Sequence, residues 1–307
     1  MSIQILHKGL SDTIQDLGRY GYQHLGIQPS GCMDTLSAAL ANYILQNDTH
    51  APVIELHFPS SQIQFLDDHI ICITGANFVP LLNKKSIALH ESISVQKNDI
   101  LSMLQPIEGN IAYIAIKGIL NEPKWLNSYA TNGKRLEKED ILHFSKSSTT
   151  PPINSKDVGR NIAFIAEQLQ GHLFSNNSPI RFIPGPAWQD LRENAIHDLI
   201  KTSFSITSQR NRMGYQLKGP ALNLNVPNTY LSSAVTRGTI QLLPNGDLIV
   251  LMADHQTIGG YANLGQIILV DLPRFAQMKT GQPFKFSITN LEEAQTLYQK
   301  MYAPFKY

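Results

Sequence analysis

The sequence predicts a mostly β fold with a few helices, arranged as barrels or sandwiches rather than as a parallel α/β sheet. Three observations carry this. Apolar segments are short and rich in β-branched residues, as in Ile111 to Ile116 and Leu248 to Met252, which suits strands better than helices. Turn residues such as Pro244-Asn245-Gly246-Asp247 separate them at close intervals. Helical periodicity is confined to a few stretches, so helices cannot cover both faces of a sheet. A chain of 307 residues, 42% hydrophobic and 16% charged, can bury a large core, and its length suggests two domains. We place them at residues 1–150 and 179–307, with a linker region at 151–178. The polar, proline-bearing run Lys146 to Lys156 and the loop-like Asn176-Asn177-Ser178 motivate that boundary.

In order, strands are expected at Ile3 to Leu6, Val53 to Leu56, Ile63 to Phe65, Ile70 to Ile73 and Ile111 to Ile116. One helix interrupts them at Thr35 to Gln46, with Leu36, Ala39, Leu40, Tyr43 and Ile44 at helical spacing. Asp34 stands where an N-cap carboxylate would accept the first free backbone N–H groups, and a ligand-facing role is the alternative. The second half opens with a strand and turn at Ile180 to Pro186, followed by a helix at Trp188 to Ile200. Strands resume at Phe204 to Ile206, Tyr215 to Leu217, Thr239 to Leu242, Leu248 to Met252, Gln266 to Val270 and Phe284 to Ile288. Asn290 with Glu293 three residues on reads as a capping box opening a final helix through Met301.

Composition narrows the function. The formal net charge is +1 and there is no basic block, so nothing points to nucleic acid or an anionic membrane surface. No apolar run approaches the roughly 20 residues of a spanning helix, and the first residues lack a signal-peptide pattern, so a cytoplasmic location is expected. Cys32 and Cys72 cannot build a disulfide framework and are expected to be reduced. Cys32 beside Asp34 could be read as a nucleophile, but a small buried hydrophobe is the better reading. None of the ten histidines is spaced from another His or Cys as a metal site requires, so no metal is expected. Gly133-Lys134 is followed by Arg135 and lacks the preceding glycine of a phosphate loop, and Gly18 to Gly26 is no dinucleotide fingerprint.

Chemistry concentrates at the end of the strand Leu248 to Met252. Within eight residues follow a carboxylate, Asp254, an imidazole, His255, an amide, Gln256, a hydroxyl, Thr257, two glycines, Gly259 and Gly260, and a phenol, Tyr261. Adjacent glycines permit positive φ and close approach of a ligand to the main chain, so the loop could present N–H groups as well as side chains. A polar connection with Asp254 in an Asx-turn is the competing reading. Asp16 with Arg19, and Arg212 with Asp254 and His255, supply opposite charges that suit either structural salt bridges or carboxylate and phosphate recognition.

The succession Gly238-Thr239-Ile240-Gln241, Pro244-Asn245-Gly246, Ala253 to Tyr261 and Asp271-Leu272-Pro273-Arg274 resembles the family variously called 5-oxoprolinase C subunit, KipA-like, allophanate hydrolase subunit 2 or biotin-dependent carboxyltransferase. Gln15 to Arg19, Ser30 to Asp34, Ala41-Asn42, Glu55 and Asn211 to Gly214 extend the resemblance over nearly the whole chain. It implies two cyclophilin-like β-barrel domains. It also implies one component of an ATP-dependent 5-oxoprolinase, a hydrolase of a cyclic amide that is inactive without its partners. A KipI-like protein would be the partner, with a LamB/YcsF-like protein as a further candidate. In that reading Asp254, His255 and Arg212 are catalytic, and Asp16, Arg19, Asp34, Gln241, Gln256, Thr257, Gly259, Gly260 and Tyr261 bind the small-molecule substrate. ATP would sit at or be shared with one of those partners. No lysine has the flanks of a biotin attachment site, so any biotin would arrive on another chain.

Two other readings stay open: half of a biotin-dependent urea carboxylase, and a KipA-like regulator binding a kinase inhibitor. The chain departs from the family pattern at Ala262 after Tyr261, at Phe58-Pro59-Ser60, at Lys117-Gly118 and at Asn132-Gly133-Lys134. Lost glycines cost backbone freedom and bear on the substrate more than on the fold.

Overall fold

The computed structural model describes all residues except 131–133, 147–154, 176–177, 226–229 and 306–307, and gives only the backbone of 155–162. The expected interdomain run Lys146 to Lys156 and the loops at Asn132-Gly133 and Asn176-Asn177 therefore lie largely outside the described residues. The chain divides into two compact units. The first comprises Met1–Arg19, Ser30–Phe174 and Pro304–Tyr307, and the second Tyr20–Pro29 and Ser175–Ala303.

Both units are mostly β. The first holds a seven-stranded sheet, in spatial order Ile119–Leu120, Ile141–Ser145, Ser2–His7, Gln62–Phe65, Ile100–Met103, Pro80–Leu82 and Lys85–Ser86. Its second sheet runs Thr13–Gln15, Val53–His57, Glu108–Ile116, His69–Asn77 and Ile93–Val95. The expected strands are all present, most of them longer than their apolar cores. Alternation explains this, since Ile3 and Ile5 are fully buried while Ser2 and Gln4 are only partly so. Ile3, Ile5, Leu56, Phe65, Ile71 and Ile114 belong to one core cluster. The helix Thr35–Ile44 packs on Glu108–Ile116 and His69–Asn77, where Thr74 Oγ1 donates to Ser37 O at 2.7 Å.

The second unit is built on an eight-stranded sheet. Its order is Pro283–Phe284, Phe204–Arg210, Gly214–Lys218, Leu248–Leu251, Thr239–Leu242, Ala262–Ile267, Ile180–Pro184 and Phe286–Ile288. Every pairing is antiparallel except the last, where Ile180 faces Phe286 in parallel register. Aromatic rings fill the core, with Phe284 and Phe286 edge to face at 5.1 Å and Phe182 at 5.7 Å from Phe286. A separate two-stranded ladder pairs Ser233–Ala234 with Ile258–Gly259. The hairpin turn before the strand Leu248–Leu251 closes through Gly246 N donating to Leu243 O at 2.9 Å, and Gly246 takes φ +87°, which only glycine adopts without strain.

Four expectations need correction. Residues 155–173, placed in the linker region, form the helix Ser155–Leu173, where Ala166, Leu169 and Leu173 are buried. The single helix expected at Trp188 to Ile200 is a 3-10 turn, Trp188–Asp190, followed by the helix Glu193–Lys201. The strand expected at Gln266 to Val270 is Ala262–Ile267, and a helix, Leu272–Gln277, follows it. The final helix Leu291–Tyr302 is capped by Asn290 accepting from Glu293 N at 2.9 Å, but the Glu293 carboxylate accepts from Thr289 Oγ1 at 2.5 Å instead of closing the box.

Among the described residues no helix is long and apolar enough to cross a membrane, and no group of three or more His, Cys, Asp or Glu could hold a metal ion. Cys32 and Cys72 are free and buried, and burial pushes the Cys72 thiol well up.

Burial also holds three histidines neutral. His90 is lowered to about 4, and His69 and His255 are lowered as well, burial being the main cause in each. The Gln170 amide nitrogen lies 2.6 Å from His90 Nε2, where it donates to the ring's lone pair. A histidine with a depressed folded pKa binds its proton more readily when unfolded, so its contribution falls as pH drops through the window from about 6.5 to 4. Asp12 opposes this. Burial raises its pKa, so its contribution falls as pH rises above 3.8. Between about pH 7.5 and 5.5 the histidines dominate, and His90 alone should cost about 1 kcal/mol, or a few degrees of melting temperature. Thermal melts across that range check this, and His90→Asn should flatten the slope, Asn being compatible with the positive φ of 61° there.

Candidate functional site

The residues singled out from the sequence fall into two groups, one in each unit. In the first unit Asp16 is buried and accepts from Gly18 N at 2.8 Å, Ser128 Oγ at 2.7 Å and Tyr129 N at 2.7 Å. Arg19 is 2% exposed, donates to Ala130 O and lies 4.5 Å from the Trp125 ring. Cys32 N donates to Asp16 O at 2.8 Å, which brings the turn Ser30 to Asp34 beside this clamp. Asp34 caps the helix Thr35–Ile44, accepting from Ser37 N at 2.9 Å and Ser37 Oγ at 2.6 Å. Of its two readings the structure displays the capping one. Glu55, fully buried, accepts from the Tyr113 hydroxyl at 2.8 Å and Met33 N at 2.7 Å. Burial, with Glu55 adding to it, raises the Tyr113 phenol well above its ordinary range. These contacts fix loops and offer little access.

The second group gathers at one end of the eight-stranded sheet. Gly214 faces Leu251 across neighbouring strands, so the turn Asn211 to Gly214 meets the residues that follow Leu251. Asn211 Oδ1 shapes that turn by accepting from Met213 N at 2.8 Å. Met252 N then donates to Met213 O at 3.0 Å and Asp254 N to Arg212 O at 2.7 Å. The main chain thereby sets Arg212 beside Asp254, and the side chains close a two-point fork, Nε to Oδ2 at 2.8 Å and Nη2 to Oδ1 at 3.0 Å. With side-chain exposures of only 14% and 13%, the pair is shielded enough for its charge to matter. Asp254 is thus an ion-pair partner.

His255 is 2% exposed, and its Nδ1 lies 2.6 Å from Gln256 O. A carbonyl only accepts, so the ring proton sits on Nδ1 and the basic lone pair on Nε2. Burial lowers its pKa, with Arg237 adding to the effect while the hydrogen bond to Gln256 and the charge of Asp254 oppose it. Neutral near pH 7, the ring can take up a proton. Arg237 went unnoticed in the sequence, since nothing in its local pattern signals its position near His255.

The rest of the loop differs from expectation at the glycines. Neither Gly259 nor Gly260 is among the residues with positive φ, and Gly259 lies in the short ladder with Ser233–Ala234. The loop does not form the alternating backbone nest that would cradle phosphate. A Cβ at Gly259 would lie 2.5 Å from Gln241 Nε2, the far end of a flexible side chain. Gln256 is half-buried, contributing its carbonyl to His255, and Thr257 O accepts from Val235 N at 3.1 Å. Gly260 and Tyr261 are exposed. Gln241 is 1% exposed and sits opposite Asn263 across the sheet. As for ATP, the described residues of this chain present no phosphate loop, and the fork of Arg212 is already engaged by Asp254.

Residues 25–288 match the family described as carboxyltransferase domain, subdomain A and B. The chain is 31% identical to the C subunit of 5-oxoprolinase from Haemophilus influenzae, over 97% of this chain and 94% of that one. It is 29% identical to the C subunit of 5-oxoprolinase from Escherichia coli, over 95% and 93% respectively. In fold it is similar to the crystal structure of the K. lactis urea amidolyase, with a TM-score of 0.88 at 23% identity. That match covers 99% of this chain and only 20% of the larger protein.

Proposed function

Because the chain belongs to the carboxyltransferase domain family, subdomains A and B, we propose that it is the C subunit of a 5-oxoprolinase, working in the cytoplasm with a KipI-like protein and a LamB/YcsF-like protein. The full-length similarity to two 5-oxoprolinase C subunits supports this substrate over urea. Within the chain, the observation that carries the reading is the shielded Arg212–Asp254 fork next to the neutral, buried His255.

Opening 5-oxoproline requires water to add to the lactam carbonyl, the ring C–N bond to break and the departing nitrogen to gain a proton, which yields glutamate. His255 Nε2 takes the proton from the attacking water, and Asp254 stabilises the imidazolium that results. The Arg212 guanidinium, engaged through Nε and Nη2 by Asp254, fixes that carboxylate in place. Nucleotide is assigned to a partner protein, because no phosphate loop is present among the described residues of this chain. No step above passes through it.

The test is reconstitution. The chain alone, mixed with 5-oxoproline and ATP, is expected to release no glutamate, to co-elute with the KipI-like protein and to support turnover once all three proteins are combined. Full turnover by the single chain would remove the need for partners. No turnover by the complete assembly would remove the substrate.

A further inference from the structure

Gln266, on the strand Ala262–Ile267, commits both ends of its side chain to a single turn. Its Oε1 accepts from Thr236 Oγ1 at 3.0 Å and Thr239 Oγ1 at 3.1 Å, and its Nε2 donates to Arg237 O at 2.6 Å. The turn also closes on itself, Thr236 N donating to Thr239 Oγ1 and Thr239 N to Thr236 O, each at 3.1 Å. Gly238 takes φ +91° within it, which suits glycine alone. Two main-chain bonds then seat this segment against the loop of the candidate site. Val235 N donates to Thr257 O at 3.1 Å, and Gly238 N donates to Leu251 O at 2.7 Å. Arg237 lies between the two tied residues of one segment, and His255 between the two tied residues of the other.

These bonds hold the main chain of residue 237, since Gln266 takes its carbonyl oxygen, which any amino acid would supply. The turn itself therefore does not call for arginine. Arg237 is half-buried, and withdrawing a charge from water is unfavourable unless the charge has something to act on. What it acts on is the His255 ring, where its charge works with burial and against Asp254. The charged groups around the ring come from three segments. Asp254, on the same loop, favours the protonated ring. Arg212, on the turn Asn211 to Gly214, is bound to Asp254 through its fork. Arg237, on the turn pinned by Gln266, opposes protonation.

We propose that Arg237 is a positioning residue for His255, and that the turn built around Gln266 holds its guanidinium where it keeps the ring free to accept a proton. This role rests on the reading of His255 as the base that receives the proton of the attacking water, and it concerns the control of that same site. Asp254 acting alone would favour a ring already protonated and unable to accept a proton. Arg237 acting alone would leave the imidazolium without a counter-charge. Together the two opposite charges let His255 begin neutral and end as an imidazolium.

The experiment is a pH titration of the full chain, isotope-labelled on histidine and followed by NMR, with His255→Gln identifying the His255 signal. Arg237→Gln, Arg237→Lys and Gln266→Met are compared with wild type. In Arg237→Gln the proton affinity of His255 is expected to rise by at least about threefold, seen as an upward shift of its midpoint. Arg237→Lys, which keeps the charge, should titrate near wild type, and Gln266→Met, which keeps Arg237 but unpins its turn, should fall between the two. In the assembled enzyme the acid limb of turnover against pH should move upward with the midpoint in Arg237→Gln, because only the neutral ring serves as base. A His255 midpoint that is unchanged or lower in Arg237→Gln overturns the proposal, as does Arg237→Lys titrating like Arg237→Gln. Should Arg237→Gln fail to fold, Gln266→Met decides, and a midpoint equal to wild type there overturns it. The titration needs no substrate. A raised midpoint in a protein whose complete assembly leaves 5-oxoproline intact would keep the positioning role and remove the 5-oxoprolinase reading.

Discussion

Asp254→Asn is expected to lower turnover of the assembled 5-oxoprolinase by about 100-fold to 10,000-fold, the range of a general acid–base contribution. The substitution keeps two polar atoms in place but removes the charge that holds Arg212 by two points and that favours a protonated His255. Arg212→Lys should cost at least about 100-fold as well, since an ammonium group cannot reproduce a planar two-point contact. Folding should suffer little. The turn that carries Arg212 is held by main-chain bonds from Met252 N and Asp254 N, and these survive both changes. Melting temperatures within a few degrees of wild type, intact co-elution with the KipI-like protein and collapsed turnover form the expected pattern. Turnover within about twofold of wild type in both variants would move the chemistry away from this loop.

Asp271→Ala should have the largest effect on stability. Asp271 is fully buried, accepts from Arg181 N, Nε and Nη2 at 2.8, 3.0 and 2.7 Å, and has Arg274 Nη2 at 3.7 Å. Removing it takes the carboxylate from the Arg181 fork and leaves Arg274, 3% exposed, with only the carbonyls of Ser178 and Pro179, in a region that burial already makes unfavourable for the Arg274 charge. Breaking a buried pair from one side costs about 3–5 kcal/mol, which for a unit of this size is on the order of 10 °C in melting temperature. The same bonds tie the strand Ile180–Pro184 to the start of the helix Leu272–Gln277, so early loss of the second unit should appear in hydrogen exchange. A melting temperature within a degree or two of wild type would show that the two arginines find other partners.

Short-range patterns in the sequence were informative where a structure is decided locally. The caps at Asp34 and Asn290, the turn at Gly246 and most strands follow from a few adjacent residues. The opposite charges of Arg212 and Asp254 were visible too, but the sequence left a structural salt bridge, carboxylate or phosphate recognition and an Asx-turn open between them. What was not legible depended on neighbours distant in the chain. The helix Ser155–Leu173 was missed because its opening residues, continuous with the proline-bearing run before them, read as linker. Gly259 suggested backbone freedom, whereas it lies in a short ladder with Ser233–Ala234 and takes no positive φ. Asp271 and Arg274 belonged to a recognisable motif, but nothing in that motif said that Arg181 would complete the ion cluster.

Phe305 has a consequence for biosynthesis. It is 7% exposed within the first unit, set edge to face against Tyr43 at 5.7 Å, and its carbonyl accepts from Thr49 Oγ1 at 3.4 Å. A ribosome makes Tyr43 and Thr49 early and Phe305 256 residues after Thr49. Throughout that interval Tyr43, on the helix Thr35–Ile44, lacks the ring that packs against it. Vectorial synthesis therefore cannot finish this unit in the order in which it is made, and this contact closes only when Phe305 arrives.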